Sequence, residues 1–196
     1  MFKSKEYWKN RYESGGTSGA GSSGRLAEFK IRTLNDFIGK HKVKSLMDIG
    51  SGDGFIAGQI CAETYIGYDV SDTAVKKCSK EFENDLSRVF TTDWVDGLEA
   101  DMSISMDVIF HLVEDEIFHE HIRRLFTCAT KFVVIYSSDC VSEGMSVHYK
   151  DRLFSEYVEK NFTDWELLLK IDNPYPFTND PENESNSDFY IYKRKK

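Results

Sequence analysis

The densest chemistry in this chain lies in seven residues, Asp48-Ile-Gly-Ser-Gly-Asp-Gly54. Gly50, Gly52 and Gly54 let a backbone turn tightly and approach a ligand with no side chain in the way. Asp69 follows Gly50 by 19 residues and closes the next apolar run. A carboxylate placed there accepts hydrogen bonds from a ribose diol. The pair predicts a site for a nucleoside-type ligand. The glycines alone leave the ligand open, because Gly52-Asp-Gly-Phe-Ile-Ala57 also fits the GxGxx(G/A) dinucleotide fingerprint.

Other groups able to do chemistry come later. His111 ends the segment Ser105-Met-Asp-Val-Ile-Phe-His111, at the carboxyl edge of a predicted strand, where an imidazole can take a proton near neutral pH. It is read as a base or acceptor contact, against a buried structural histidine. His148, Tyr149 and Arg152 sit in "EGMSVHYKDR", residues 143–152, a loop suited to grip a sugar, phosphate or carboxylate. The competing reading docks that loop against the helix that follows. His119 and His121 are two apart on an acid-rich helix and point to different faces, which predicts a solvated face rather than a metal site. The four cysteines show no CxxC spacing, so neither a zinc knuckle nor a disulfide framework is expected.

These residues need elements to hold them. Tyr7, Trp8 and Tyr12 stand at helical spacing over residues 6–11, the glycine-rich stretch of residues 14–24 intervenes, and a longer helix runs over 25–38. Apolar runs at 43–49, 65–70, 88–91, 104–110 and 131–137 alternate with helical patterns at 55–63, 72–82, 114–127 and 153–159. Such alternation implies βαβ units and an α/β, Rossmann-like doubly wound sheet. Runs at 165–171 and 189–193 enclose 17 residues with all three prolines and no helix pattern. Two strands joined without a helix should pair antiparallel, giving seven strands, mostly parallel with an antiparallel C-terminal strand.

With 196 residues the chain suits one domain: an N-terminal helical cap over 1–40 and a core over 42–192. Its 40% hydrophobic and 30% charged residues exclude a disordered chain, and no apolar run approaches the roughly 20 residues of a membrane helix. With no secretory signal at the start, a cytoplasmic location is expected. A formal charge of −8 disfavours a large phosphate footprint, so nucleic acid is an unlikely partner.

Asp48 before the first glycine, Thr92-Asp-Trp94 after the third strand, the Ser105–His111 segment and the closing antiparallel pair separate the ligands. In these features the sequence resembles the class I S-adenosylmethionine (SAM)-dependent methyltransferases over about residues 42–192. Residues 7–30, "YWKNRYESGGTSGAGSSGRLAEFK", are similar to the opening of a bacterial subgroup found with surface-polysaccharide or natural-product pathways. The resemblance implies SAM as cofactor. It places Gly50, Gly52 and Gly54 against the methionine part, Asp48 near its amino group, Asp69 on the ribose, Asp93 at the adenine amine and Trp94 beside the ring. Some O-methyltransferases of the class hold magnesium after the fourth strand, but the accompanying Asp-Asn pair is not evident, and no metal is expected.

The expected activity is methyl transfer to a hydroxyl of a small molecule or glycan. The alternatives are a non-catalytic SAM-binding regulator, an RNA-directed methyltransferase and a nicotinamide-dependent oxidoreductase. The last would need a hydride site, and no Tyr-Lys pair four residues apart on a predicted helix follows Asp69. Residues 14–24 hold five of the thirteen glycines. They join no two domains and follow no strand, so they are read as the hinge of a lid over the cofactor, against a loose tail.

Overall fold

The computed structural model describes residues 2–141 and 147–196. Strands β1 (Ser45–Ile49), β2 (Thr64–Tyr68), β3 (Arg88–Thr91), β4 (Ala100–Met106), β5 (Ala129–Ser137), β6 (Trp165–Ile171) and β7 (Asp188–Arg194) form one sheet in the order β3-β2-β1-β4-β5-β7-β6. All pairings are parallel except those of β7, which runs against both β5 and β6. The expected architecture is therefore present. The prolines of residues 172–187 are accommodated by an asparagine: Asn173 Nδ2 donates to the carbonyls of Tyr175 and Ser185, folding the connection back without a helix.

Helices α1 (Ser4–Glu13), α2 (Gly24–His41), α3 (Asp72–Glu81), α4 (Asp115–Cys128) and α5 (Phe154–Asn161) complete the chain. One face of the sheet packs under α2 and α3 through Phe29, Leu34, Phe37, Cys78, Tyr136 and Phe189. The other packs under α4 and α5 through Phe118, Ile122, Leu125, Phe154 and Val158. Phe189 is fully enclosed, its ring 4.7 Å from Tyr136 and 5.6 Å from Phe29. Enclosing one such side chain stabilises the fold by about 1.5–3 kcal/mol.

Two expectations fail near the site. No helix forms over 55–63; only a 3-10 turn at Ala57–Gln59 is present. Gly54 and Gly58 favour other conformations, and the guanidinium of Arg88 takes the carbonyls of Ala57 (3.0 Å) and Ile60 (2.8 Å). Strand β4 also lies four residues earlier than its apolar run suggested. The chain leaves the sheet at Asp107, with φ 59°, and His111 ends a 3-10 turn, Ile109–His111, rather than a strand.

Nor is His121 on a solvated face. It is buried against β4, its Nε2 2.8 Å from Ser105 Oγ, while His119 remains exposed and stacks on Tyr157. Burial drives the His121 imidazole down to about 3. Its ordinary value is about 6.5, so below that pH the unfolded chain binds a proton that the folded chain refuses. Stability then falls as pH falls. Denaturant titrations should show wild type losing stability relative to His121→Asn by up to about 1.4 kcal/mol per pH unit between about pH 6 and 4. A pH-independent difference would place a charged histidine in the core.

Candidate functional site

Strand order reverses between β1 and β4, so their following turns leave toward opposite faces and open a crevice at the carboxyl edge of the sheet. A cleft lined by the turn after β1, Asp69, Asp107 and His111 occupies that crevice. The turn after β1 forms its floor. Gly50 N and Ser51 N both donate to the Tyr68 carbonyl at the end of β2 (2.7 and 3.1 Å). Gly52 N donates to Asp69 Oδ2 (2.9 Å), whose other oxygen accepts from Ser71 N (2.9 Å). Asp69 thus fixes the glycine turn to β2. Burial raises the proton affinity of its carboxyl, and the backbone donors of Ser71 and Gly52 oppose that rise.

Asp48 is enclosed below the turn, and Tyr65 OH donates to its Oδ2 (2.5 Å). Burial pushes this carboxyl up to about 7. Asp48 Oδ1 and Ser51 Oγ are buried without a hydrogen-bond partner among the described residues. Buried polar atoms left open in this way are unfilled binding capacity beside the turn.

The N-terminal segment closes the cleft from above. Ser4, buried at the start of α1, donates from its N and Oγ to the Glu114 carboxylate, while Ser4 Oγ accepts from Val113 N (3.1 Å). Trp8 meets His111 edge-on at 4.9 Å, and Tyr7 stacks on His148 at 5.2 Å. The glycine-rich stretch then lies directly on the turn. Ser18 Oγ donates to Asp53 Oδ1 (2.9 Å), accepts from Asp53 N (3.2 Å) and bonds Tyr12 OH (2.9 Å). At Gly52, with φ 58°, a Cβ would sit 2.5 Å from Ser18 Oγ. Only glycine lets the two segments touch.

His111 lines the cleft, half-buried, with Nδ1 3.3 Å from the His148 carbonyl. Burial brings its imidazole down to about 4, partly offset by that hydrogen bond. Asp107 also lines the cleft, its carboxylate held by Lys30 Nζ (2.7 Å) and Ser187 Oγ (2.9 Å).

Of the residues expected at the site, Asp48, Gly50, Gly52, Asp69 and His111 meet in this cleft. Gly54 stands behind the turn, where a Cβ would press on Cys78 Sγ at 2.8 Å. Asp93 and Trp94 lie outside the lining. Asp93 is exposed, and Trp94 donates from Nε1 to Asp96, lies edge-on to Tyr68 and carries the Arg124 guanidinium over its ring at 4.7 Å. The loop residues are also outside. Tyr149 OH meets Ser138 Oγ at 3.4 Å, and Arg152 is spent on Asp115 and on the carbonyls of Leu112 and Val113. Residues 143–146 of the expected substrate loop lie outside the described residues.

Tyr12, Ser18, Lys30, Asp53 and Asp107 line or brace the cleft without having been singled out. One signal existed: Lys30 falls in the apolar stripe Leu26, Leu34, Phe37 of α2, where a charge needs a buried partner.

No family model and no curated relative matches the chain. Solved structures do match. Magnesium protoporphyrin IX methyltransferase ChlM from Synechocystis PCC 6803, with bound SAM, is 13% identical over 99% of this chain and 98% of its own, with TM-score 0.67. N-methyltransferase NodS from Bradyrhizobium japonicum WM9, in complex with S-adenosyl-L-homocysteine, gives 0.72 at 9% identity over 98% and 99% of the two chains. The methyltransferase domain of bacterial CtHen1-C gives 0.67 at 12% over 85% and 97%. Identities this low speak for the fold alone. The chain has the Rossmann-like fold of SAM-dependent methyltransferases.

Proposed function

We propose that this chain is a SAM-dependent methyltransferase whose acceptor is a hydroxyl of a small molecule or glycan. The observation that carries the reading is the meeting of the Asp48–Gly54 turn and Asp69 in one cleft at the sheet's switch point. The residues fit the cofactor. Gly50 and Gly52 leave the floor open to backbone approach, Asp69 lines the cleft with acceptor positions left beyond its two backbone donors and would take the ribose hydroxyls, and the unpartnered Asp48 Oδ1 and Ser51 Oγ would bond the amino acid end. When bound, SAM supplies an electrophilic methyl group on a sulfonium and a neutral thioether leaving group.

The protein's own work is then alignment and proton removal. The His148 carbonyl can only accept, so His111 carries its proton on Nδ1 and presents the lone pair of Nε2. Burial keeps the ring neutral at physiological pH, and a neutral ring is the form that takes the acceptor's hydroxyl proton. Trp8 and Tyr12, lying over the cleft on α1, exclude water from the reacting groups. His148, Tyr149 and Arg152 act from outside the lining as the frame that orients His111 and the turn before α4.

Three measurements test this reading. Calorimetry should show binding of SAM and none of NAD; the reverse would move the chain to the oxidoreductases. With tritium-labelled SAM and the small-molecule fraction of a cell extract, His111→Ala should lower label transfer about 100- to 10000-fold while SAM affinity is unchanged. Full transfer by that variant would leave His111 a structural group. Removing residues 1–24 should weaken SAM binding about tenfold or more while cooperative unfolding persists; a cooperatively folded truncation with full affinity returns the segment to a loose tail.

A further inference from the structure

Aromatic rings wall the part of the cleft around His111. Trp8 and His111 both line it, 4.9 Å apart with their planes at 72°, so they form a corner. The Arg11 guanidinium lies over the Trp8 ring, 5.4 Å from its centre. Outside the lining, Phe110 stands 4.6 Å and Tyr149 6.1 Å from His111, and these rings hold the imidazole in place. Phe55 adds a further aromatic surface to the lining and is 47% exposed. A planar ring fits such a corner by stacking on one wall and meeting the other edge-on.

The polar side chains of the lining are largely engaged with one another. Ser4 is bonded to Glu114 and Val113, and Tyr12 OH to Ser18 Oγ. Glu120 accepts from Arg123 and Arg124, and Arg124 also donates to Tyr68 OH. A sugar carries several hydroxyls, and enclosing each without a hydrogen bond is costly. A flat apolar ring bearing a hydroxyl asks of this wall little more than contact area and one base.

The strength of the base favours the same ligand. Burial brings the His111 imidazole down to about 4, and a base this weak removes a proton efficiently only from an acidic hydroxyl. Aliphatic hydroxyls hold their proton roughly as tightly as water, about 15.7. A phenol releases it near 10, as tyrosine does.

We infer that the acceptor is an aromatic hydroxyl, a phenol-type ring seated in the corner between Trp8 and His111, and that Trp8 is the residue that selects it. This rests on the SAM reading above and narrows its acceptor. The phenolic oxygen forms its bond to the methyl carbon as the carbon–sulfur bond breaks. The sulfur keeps that electron pair and leaves as a neutral thioether, while the phenolic proton passes to His111 Nε2 and from there to water. The products are an aryl methyl ether and S-adenosylhomocysteine.

The labelled product that the full chain makes from tritium-labelled SAM and the small-molecule fraction of a cell extract identifies the acceptor. Chromatography with ultraviolet detection should place the label on an aromatic chromophore, and the mass spectrum should show a new methoxyl group on an arene. Label on a sugar, an aliphatic hydroxyl or an amine overturns the assignment. With the acceptor so identified, Trp8→Leu keeps an apolar cover but no ring. It should raise the acceptor KM about 2- to 10-fold, with SAM affinity by calorimetry within about twofold of wild type. Trp8→Phe, which keeps a ring, should recover most of that loss. An unchanged KM in Trp8→Leu, or a rise matched by an equal loss of SAM affinity, removes Trp8 from acceptor selection. Wild type that binds SAM and labels nothing overturns the transferase reading, and wild type that binds no SAM overturns the cofactor reading; either result removes the ground for a phenolic acceptor.

Discussion

The reversal of strand order between β1 and β4 is the constraint on which the rest of the molecule depends. Parallel strands must end at one edge, and where their order reverses the following turns leave for opposite faces of the sheet. A crevice results whatever the side chains are. The sequence then has to keep its floor open and its walls polar. It does the first with glycines at 50 and 52, and the second with Asp69, which receives the Gly52 N–H and so ties the turn to β2. The failed helix over 55–63 belongs to the same arrangement. With Arg88 holding the carbonyls of Ala57 and Ile60, that segment stays close under the turn.

The walls create an electrostatic problem as well as a site. Asp48, Asp53, Asp69 and Asp107 all line one cleft, in a chain whose formal charge is already −8. Repulsion among enclosed carboxylates is strong where water is scarce. The structure relieves it in three ways. Asp48 shifts toward its neutral form, Asp69 is held by backbone N–H groups, and Asp107 is paired with Lys30. The remaining field still attracts positive charge. A sulfonium with an α-ammonium group is such a ligand, while the phosphates of a dinucleotide would be repelled.

Much of this was legible in the sequence, and the reasons differ by element. Strands β1 and β2 with the Asp48–Gly54 turn could be read because buried parallel strands are short apolar runs and glycine-rich turns are rare. Strand β4 was misplaced because Val108 and Ile109 are apolar for a different reason: they pack below the turn after the strand. His121 looked like one of a solvated pair because spacing along a helix gives relative faces, and not which face meets the sheet. Lys30 and Asp107 could not be paired from sequence, being 77 residues apart and joined only through tertiary packing. Trp94 carried an expectation drawn from resemblance; its contacts here are the Arg124 guanidinium, 4.7 Å from the ring centre, and the Tyr68 ring.

The glycine-rich stretch shows why a flexible composition does not make a flexible segment. Its glycines serve close approach: Gly21 brings the backbone against Asp107, and Gly52 opposite lets Ser18 and Tyr12 descend onto the turn. Ser18 exchanges hydrogen bonds with Asp53 in both directions, so the stretch is registered on the turn and not merely laid across it. Helix α1 is pinned independently at its far end, by Ser4 on Glu114 and Val113. A segment fixed at two points over a crevice covers it with a handful of hydrogen bonds and two aromatic contacts. The glycines permit that packing because Gly21 and Gly52 leave no side chain between the facing segments.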